Sequence, residues 1–208
     1  MPPPQTPPPG ELPPQYQYQR PAYQPAPPAL APNGQPLANF GDRFLAYLID
    51  YAIYLAISLV WTVPFMIWWI IAFFDRIVEI QPTFDPDGEP VPPDFNDILV
   101  LYIPMLIFVV ASIALGLIYT YLYWVEYQLR KGGQTIGKRA MNIRVIPVDP
   151  AASGLTRGDF AVRWLVQWVV GMFISLFSLL DGLWQLWDKP LQQCLHDKAA
   201  KTVVVKVG

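Results

Sequence analysis

Apolar and polar positions alternate in long blocks along the chain. Residues 44–74 read FLAYLIDYAIYLAISLVWTVPFMIWWIIAFF, broken by one charge, Asp50. A helix crossing a bilayer needs about 20 apolar residues, so this block predicts a first span with length to spare. Pro64 is expected to kink or break it. Trp61, Trp68 and Trp69 fit an interfacial belt near its far end. Residues 98–125 form a second apolar block with no charge, ending in Tyr119, Tyr121, Tyr123 and Trp124. Residues 164–187 form a third, interrupted by Asp181-Gly182. Two short stretches read instead as strands, Met141–Val148 and Thr202–Val207.

The polar blocks differ in sign. Residues 75–97 hold seven acids against one base, Arg76. Asp85-Pro86-Asp87-Gly88-Glu89 lacks the spacing of an EF-hand and reads as a solvated acidic loop. Residues 126–163 hold seven bases against three acids. Lys and Arg favour the cytoplasmic side of short loops, which puts this block and the N-terminus inside and the acidic loop outside. The tail 188–208 has four lysines against two acids and carries the second strand. A full crossing by 164–187 would carry that tail outside, away from its strand partner. A re-entrant or broken helix, bent near Gly171–Ser178 or at Asp181-Gly182, is the preferred reading because it returns the tail.

Composition changes the picture at the N-terminus. Residues 1–38 hold 14 of the 24 prolines and only two charges, Glu11 and Arg20. Too few apolar side chains are present to offset the entropy of ordering, which predicts a disordered arm with polyproline II character. It has neither the basic start nor the apolar core of a signal peptide. Pro13-Pro14-Gln15-Tyr16 matches a PPxY ligand motif, although a solvated linker is the commoner use of such a tract. The arm is one domain and residues 39–208 the other. The fold class is therefore an all-α integral membrane protein with two or three transmembrane helices. It includes a re-entrant or broken helix, a small cytoplasmic β-element and the proline-rich arm.

Over the whole chain, 14% of residues are charged, the mean hydropathy is +0.29 and the net charge is −2. Soluble domains carry about 25% charged residues. The net charge offers no basic surface for nucleic acid. A single cysteine, Cys194, and a single histidine, His196, exclude a disulfide framework and a clustered zinc site. No metal, cofactor or catalytic constellation is expected, and the protein does not read as an enzyme. The expected partners are the lipid bilayer and either further copies of the chain or other membrane subunits.

Asp50 follows Arg43 by seven residues, so both lie on nearly the same helix face, about 10 Å apart in rise. An acid at that depth faces the bundle interior, as a cation or proton site or as a hydrogen-bonded lock between helices. Arg43 is a candidate partner for it, or reaches the phosphate layer. Asp181 marks an ion pathway or, the preferred reading, caps a broken helix before Gly182. Gly132–Lys138 matches the first part of a P-loop. Arg139 stands where the magnesium-binding hydroxyl belongs and a span precedes the loop, so nucleotide binding is rejected. Lys138, Arg139 and Arg144 read as a cluster for anionic head groups. His196-Asp197 hints at a proton relay, but no activated serine or cysteine completes it. Asp197 reads better as a cap or as an ion-pair partner for the bases of the inner loop.

Three segments in order carry a resemblance. They are Phe40-Gly41-Asp42-Arg43 running to Asp50, Gly133-Gln134-Thr135-Ile136-Gly137-Lys138-Arg139 leading into Ile143-Arg144-Val145, and Leu195-His196-Asp197-Lys198 leading into Thr202–Val205. Over residues 38–207 the chain resembles the RDD family of bacterial membrane proteins, named for one arginine and two aspartates. The resemblance implies that Arg43 is the family arginine and Asp50 the first aspartate, with Asp197 the second. Ala200-Lys201 stands where the family usually has glycine. The resemblance also implies transport of an ion or small ligand, sodium–proton antiport among the suggestions. The alternative function is a membrane scaffold that gathers partners through the proline-rich arm.

Overall fold

The computed structural model describes residues 1, 29–79, 83–91 and 94–207. The expected PPxY motif and most of the expected disordered arm lie outside the described residues. The elements run α1 (Phe40–Glu79), β1 (Thr83–Phe84), β2 (Pro90–Val91), α2 (Phe95–Tyr121), a π-helical turn (Leu122–Tyr127) and α3 (Gln128–Arg130). Then follow α4 (Ile136–Ala140), β3 (Ile143–Pro147), α5 (Arg157–Trp164), a second π-helical turn (Leu165–Val170), α6 (Gly171–Phe173), α7 (Phe177–Trp184), α8 (Leu195–Ala199) and β4 (Thr202–Lys206).

Two long apolar helices dominate. α1 has 40 residues, about 60 Å at 1.5 Å per residue. It runs through Pro64 without interruption, so the expected break there does not occur. Tolerance of proline inside a helix requires that the freed carbonyl lie where it can be satisfied or hydrated. α2 packs antiparallel to α1: Phe65 stacks on Phe108 at 3.7 Å, and Tyr54 meets Tyr119 at 5.7 Å. Gly116 keeps this seam close, since a Cβ there would crowd the Tyr54 hydroxyl. Both helices are long and apolar enough to cross a membrane, and their apolar side chains face outward. Between them β1 and β2 form a tight hairpin. The Asp85 carboxylate accepts from the Asp87 and Glu89 amides, so the acidic loop closes on its own backbone.

The buried core sits at the other end of the helix pair. β3 and β4 pair antiparallel, with Val145 opposite Val204, as the two strand-like stretches predict. β4 alternates between two clusters, as a strand buried on both faces does. Val204 packs with Ile143, Val145, Phe160 and Val125, while Val203 and Val205 pack with Ala31 and Leu37. Residues 29–38, which the sequence places in the disordered arm, thus pack against the fold. Residues 29–38 are held by backbone bonds from Ala38 to Val204 and from Lys206 to Pro36. The arm is ordered there because Leu37 and Ala38 find a strand edge and a core face to cover.

The third apolar block does not form a third long helix. α5, the second π turn and α6 run together from 157 to 173, about 26 Å. The chain then reverses at Ile174–Leu176, where Leu176 adopts φ 66°. α7 comes back beside its own start, and β4 lies on the same end as β3. The reversal falls within the Gly171–Ser178 alternative. Asp181-Gly182 is not the break, because both residues lie inside α7, and Asp181 therefore caps no broken helix.

Candidate functional site

Three buried aspartates organise the junction between the helix pair and the β3–β4 lobe. Asp50 comes from α1 and is 1% exposed. Its Oδ1 accepts from the Tyr123 hydroxyl at 2.7 Å and the Gly137 amide at 2.7 Å, and its Oδ2 from the Thr135 hydroxyl at 2.5 Å. The Tyr123 hydroxyl in turn accepts from the Ile136 amide. The stretch that resembles a P-loop is therefore a carboxylate cradle. Its backbone turns at Gly133 (φ 88°), Thr135 caps α4, and the amide at its start points at Asp50 instead of a phosphate. Gly137 is obligatory for this approach, because a Cβ would strike the Ala46 carbonyl and the Asp50 carboxyl carbon. Arg43 does not pair with Asp50.

Arg43 instead meets Asp197, at 3.3 Å. The same guanidinium donates to the carbonyls of Ala38, Gln192 and Val204 at 3.2, 2.7 and 3.2 Å. One side chain thereby ties α1, the arm, the loop before α8 and β4. Asp197 has no exposed surface and also binds Arg163 of α5. It caps α8 by accepting from the Cys194 amide. Burial alone would push its carboxyl up; the charges of Arg163, His196 and Arg43 outweigh that and hold it well below the usual range. Arg163 donates to the Thr202 hydroxyl as well, fixing β4.

Asp181 reaches from α7 to α8. Its oxygens lie 2.9 Å from the His196 amide nitrogen and 2.6 Å from Nδ1 of the same residue. This double contact anchors the returning helix. Cys194, His196 and Asp197 bring potential metal-ligand atoms within 4.8 Å of one another. The set suits a cation poorly: two guanidiniums already hold Asp197, and burial pushes the Cys194 thiol up, keeping it protonated.

These groups form the polar end of a cavity of about 570 Å³ between α1, α2 and the 157–185 segment. Its walls are mostly apolar, with Phe44, Leu117, Met172 and Leu179 among them. Lys138 faces this cavity and not a surface cluster with Arg139, which is exposed. Burial lowers the Lys138 ammonium to about 8 against the opposing pull of Asp50.

Arg43, Asp50 and Asp197 stand out in the chain, as do Gly137, Lys138, Asp181 and His196, and the structure brings all seven to this junction. Their partners Tyr123, Thr135 and Arg163 do not stand out. Tyr123 hides in an aromatic run, and Thr135 stands within a motif that points to phosphate. Arg163 carried one usable signal, a lone charge at the border of an apolar block. No curated protein and no solved structure matches the chain. A family model does, over residues 37–201, and the matched span takes in the Arg43–Asp197 pair, Asp50 with its cradle, and the returning segment. The chain belongs to the RDD family.

Proposed function

We propose that this is a multi-pass protein of the cytoplasmic membrane, a binding and transport component that admits a small ligand to the cavity between α1, α2 and the returning segment. The observation that carries this reading is the cavity itself, charged at one end and apolar along its walls. Its setting supports membrane insertion: Leu48, Leu55, Val60, Ile67, Ile71 and Phe74 of α1 all face outward, the reverse of a soluble helix. The bases of residues 126–163 favour a cytoplasmic lobe, so the charged end opens to the inner face.

A small ligand fits better than a cation held by Asp50. Both Asp50 oxygens are engaged by donors, and a cation would have to displace three of them. An enzymatic role has little support, since the buried side chains at the junction hold one another and the thiol near His196, that of Cys194, is kept protonated by burial. Two long helices and one returning segment are few for a stand-alone transporter, which favours further copies of the chain or other membrane subunits as partners. The scaffold alternative rests on residues 13–16, outside the described residues.

Sided cysteine labelling tests the reading. In a Cys194→Ser background, Ser112→Cys should react with a small, impermeant thiosulfonate added to inside-out vesicles. Val110→Cys, which faces outward from α2, should not react. Failure of Ser112→Cys to react from that side overturns the cavity's access to the cytoplasm. A reporter fused after Gly208 should read cytoplasmic, and an external signal overturns the orientation.

A further inference from the structure

We infer that the cavity binds an acidic amphiphile, its oxyanion (carboxylate or phosphate) against Lys138 and its apolar chain along the α2 face toward Met172 and Leu179. This rests on the cavity reading above and adds the chemistry of the occupant.

The hydrogen-bonding capacity left open in the cavity is chiefly donor capacity. Asp50 accepts three bonds, Asp181 holds His196, and Asp197 holds two guanidiniums. Arg43 donates through all three nitrogens to Asp197 and to backbone carbonyls, and Arg163 gives its Nη1 to Asp197 and Thr202. Lys138 is the cation of this end whose ammonium has neither a hydrogen bond nor an ion pair among the described residues. Deeper in the same cavity, the Trp168 indole N–H and the Ser112 hydroxyl are buried without a partner. Buried polar groups are normally satisfied, so a native cavity with orphaned groups implies an occupant.

The cavity's length and walls select the rest of the ligand. Ser112, Gly116, Thr120 and Trp124 line it at four-residue intervals, one face of the helix and about 18 Å of rise. A free inorganic anion would serve Lys138 and leave this apolar length empty. An alkyl chain would fill the length and leave the ammonium unpaired. A molecule with both parts pairs the ammonium and fills the apolar length.

The partial neutralisation of Lys138 makes its charge responsive to the occupant. Asp50 from α1, Arg163 from α5, and Asp197 and Cys194 from around α8 are the groups that act on it. An incoming oxyanion would favour the ammonium form, so binding should weaken as pH rises through about 8.

The test uses the full chain, purified into nanodiscs of zwitterionic lipid and followed by tryptophan fluorescence and calorimetry. The probes are dodecanoate, dodecanol and inorganic phosphate. Dodecanoate should bind saturably and about tenfold tighter than dodecanol, the difference expected for one charge-assisted hydrogen bond. Lys138→Met should remove that difference while leaving dodecanol unchanged. Should Lys138→Met fail to fold, Ser112→Leu narrows the far end without touching the charged groups, and it should weaken both chain-bearing probes. Equal binding of dodecanoate and dodecanol overturns the acidic head group. Phosphate binding as tightly as dodecanoate overturns the apolar tail. No binding of any probe, with Ser112→Cys still labelled from the cytoplasmic side, overturns this inference and leaves the cavity reading standing. No binding and no labelling removes both.

Discussion

Asp197 shows how one residue can bind a small lobe together. It has no exposed surface, and its charge is balanced by guanidiniums from two different helices while it also caps α8. A carboxyl held below its unfolded value contributes stability that is fully present above pH about 4 and is lost as pH falls through the folded value. Thermal unfolding in detergent should therefore be flat with respect to this residue near neutrality and fall steeply on the acid side. Asp197→Asn should cost on the order of 3–5 kcal/mol at pH 7, because it leaves two buried guanidiniums short of a counter-charge, and it should flatten the acid limb. The sequence names Arg43 and Asp197 readily, since charges beside apolar runs are conspicuous. It does not pair them, because 154 residues separate the two and only the folded chain closes that distance.

At the scale of elements, α4 is the telling case. Five residues long, it has no stability of its own and exists because Asp50 receives the Gly137 amide, Tyr123 the Ile136 amide, and Thr135 caps it. Contact through backbone leaves no room for a side chain at Gly137. Gly137→Ala should cost about 3 kcal/mol or more by forcing α4 off α1. Gly182→Ala, inside α7 with open space around it, should instead stabilise by about 0.5–1 kcal/mol. Thermal unfolding of both variants beside the parent checks the contrast. The sequence marked Gly132–Lys138 as a partial P-loop match that binds no nucleotide, and the structure shows its amides turned to an anion of another kind. It could not say that the anion is a side chain of the same protein. The three apolar blocks and both strands were likewise legible from period and length. The place where the third block turns was legible as one of two alternatives: Ile174–Leu176 lies within Gly171–Ser178 but carries no glycine or proline to single it out, and docking of α7 on α8 through Asp181 and His196 holds the reversal.

Across the whole molecule, the fold is a helix pair with its apolar side chains outward, joined to a lobe with its apolar side chains inward. The lobe gathers segments from both ends of the chain. Among the described residues the arm's contacts begin at Ala29, where its carbonyl accepts from Leu37. A chain starting at residue 29 retains these contacts. One starting at residue 39 should lose about 3 kcal/mol, the burial of Ala31, Leu37 and Ala38, together with the carbonyl that Arg43 binds. Scanning calorimetry of the two truncations separates these outcomes. The amino-acid sequence by itself determined the two long apolar helices, the strand pair, the sign of each connecting loop and the family signature. Those depend on local periodicity and composition, which a linear chain displays in full. Only the tertiary structure decided that Arg43 serves Asp197 and not Asp50, that Asp50 anchors α4, that Ala31, Leu37 and Ala38 pack against the lobe, and that Lys138 faces a cavity. Each of these is a meeting of groups far apart in the chain, set by which surfaces bury one another and which buried charges find partners.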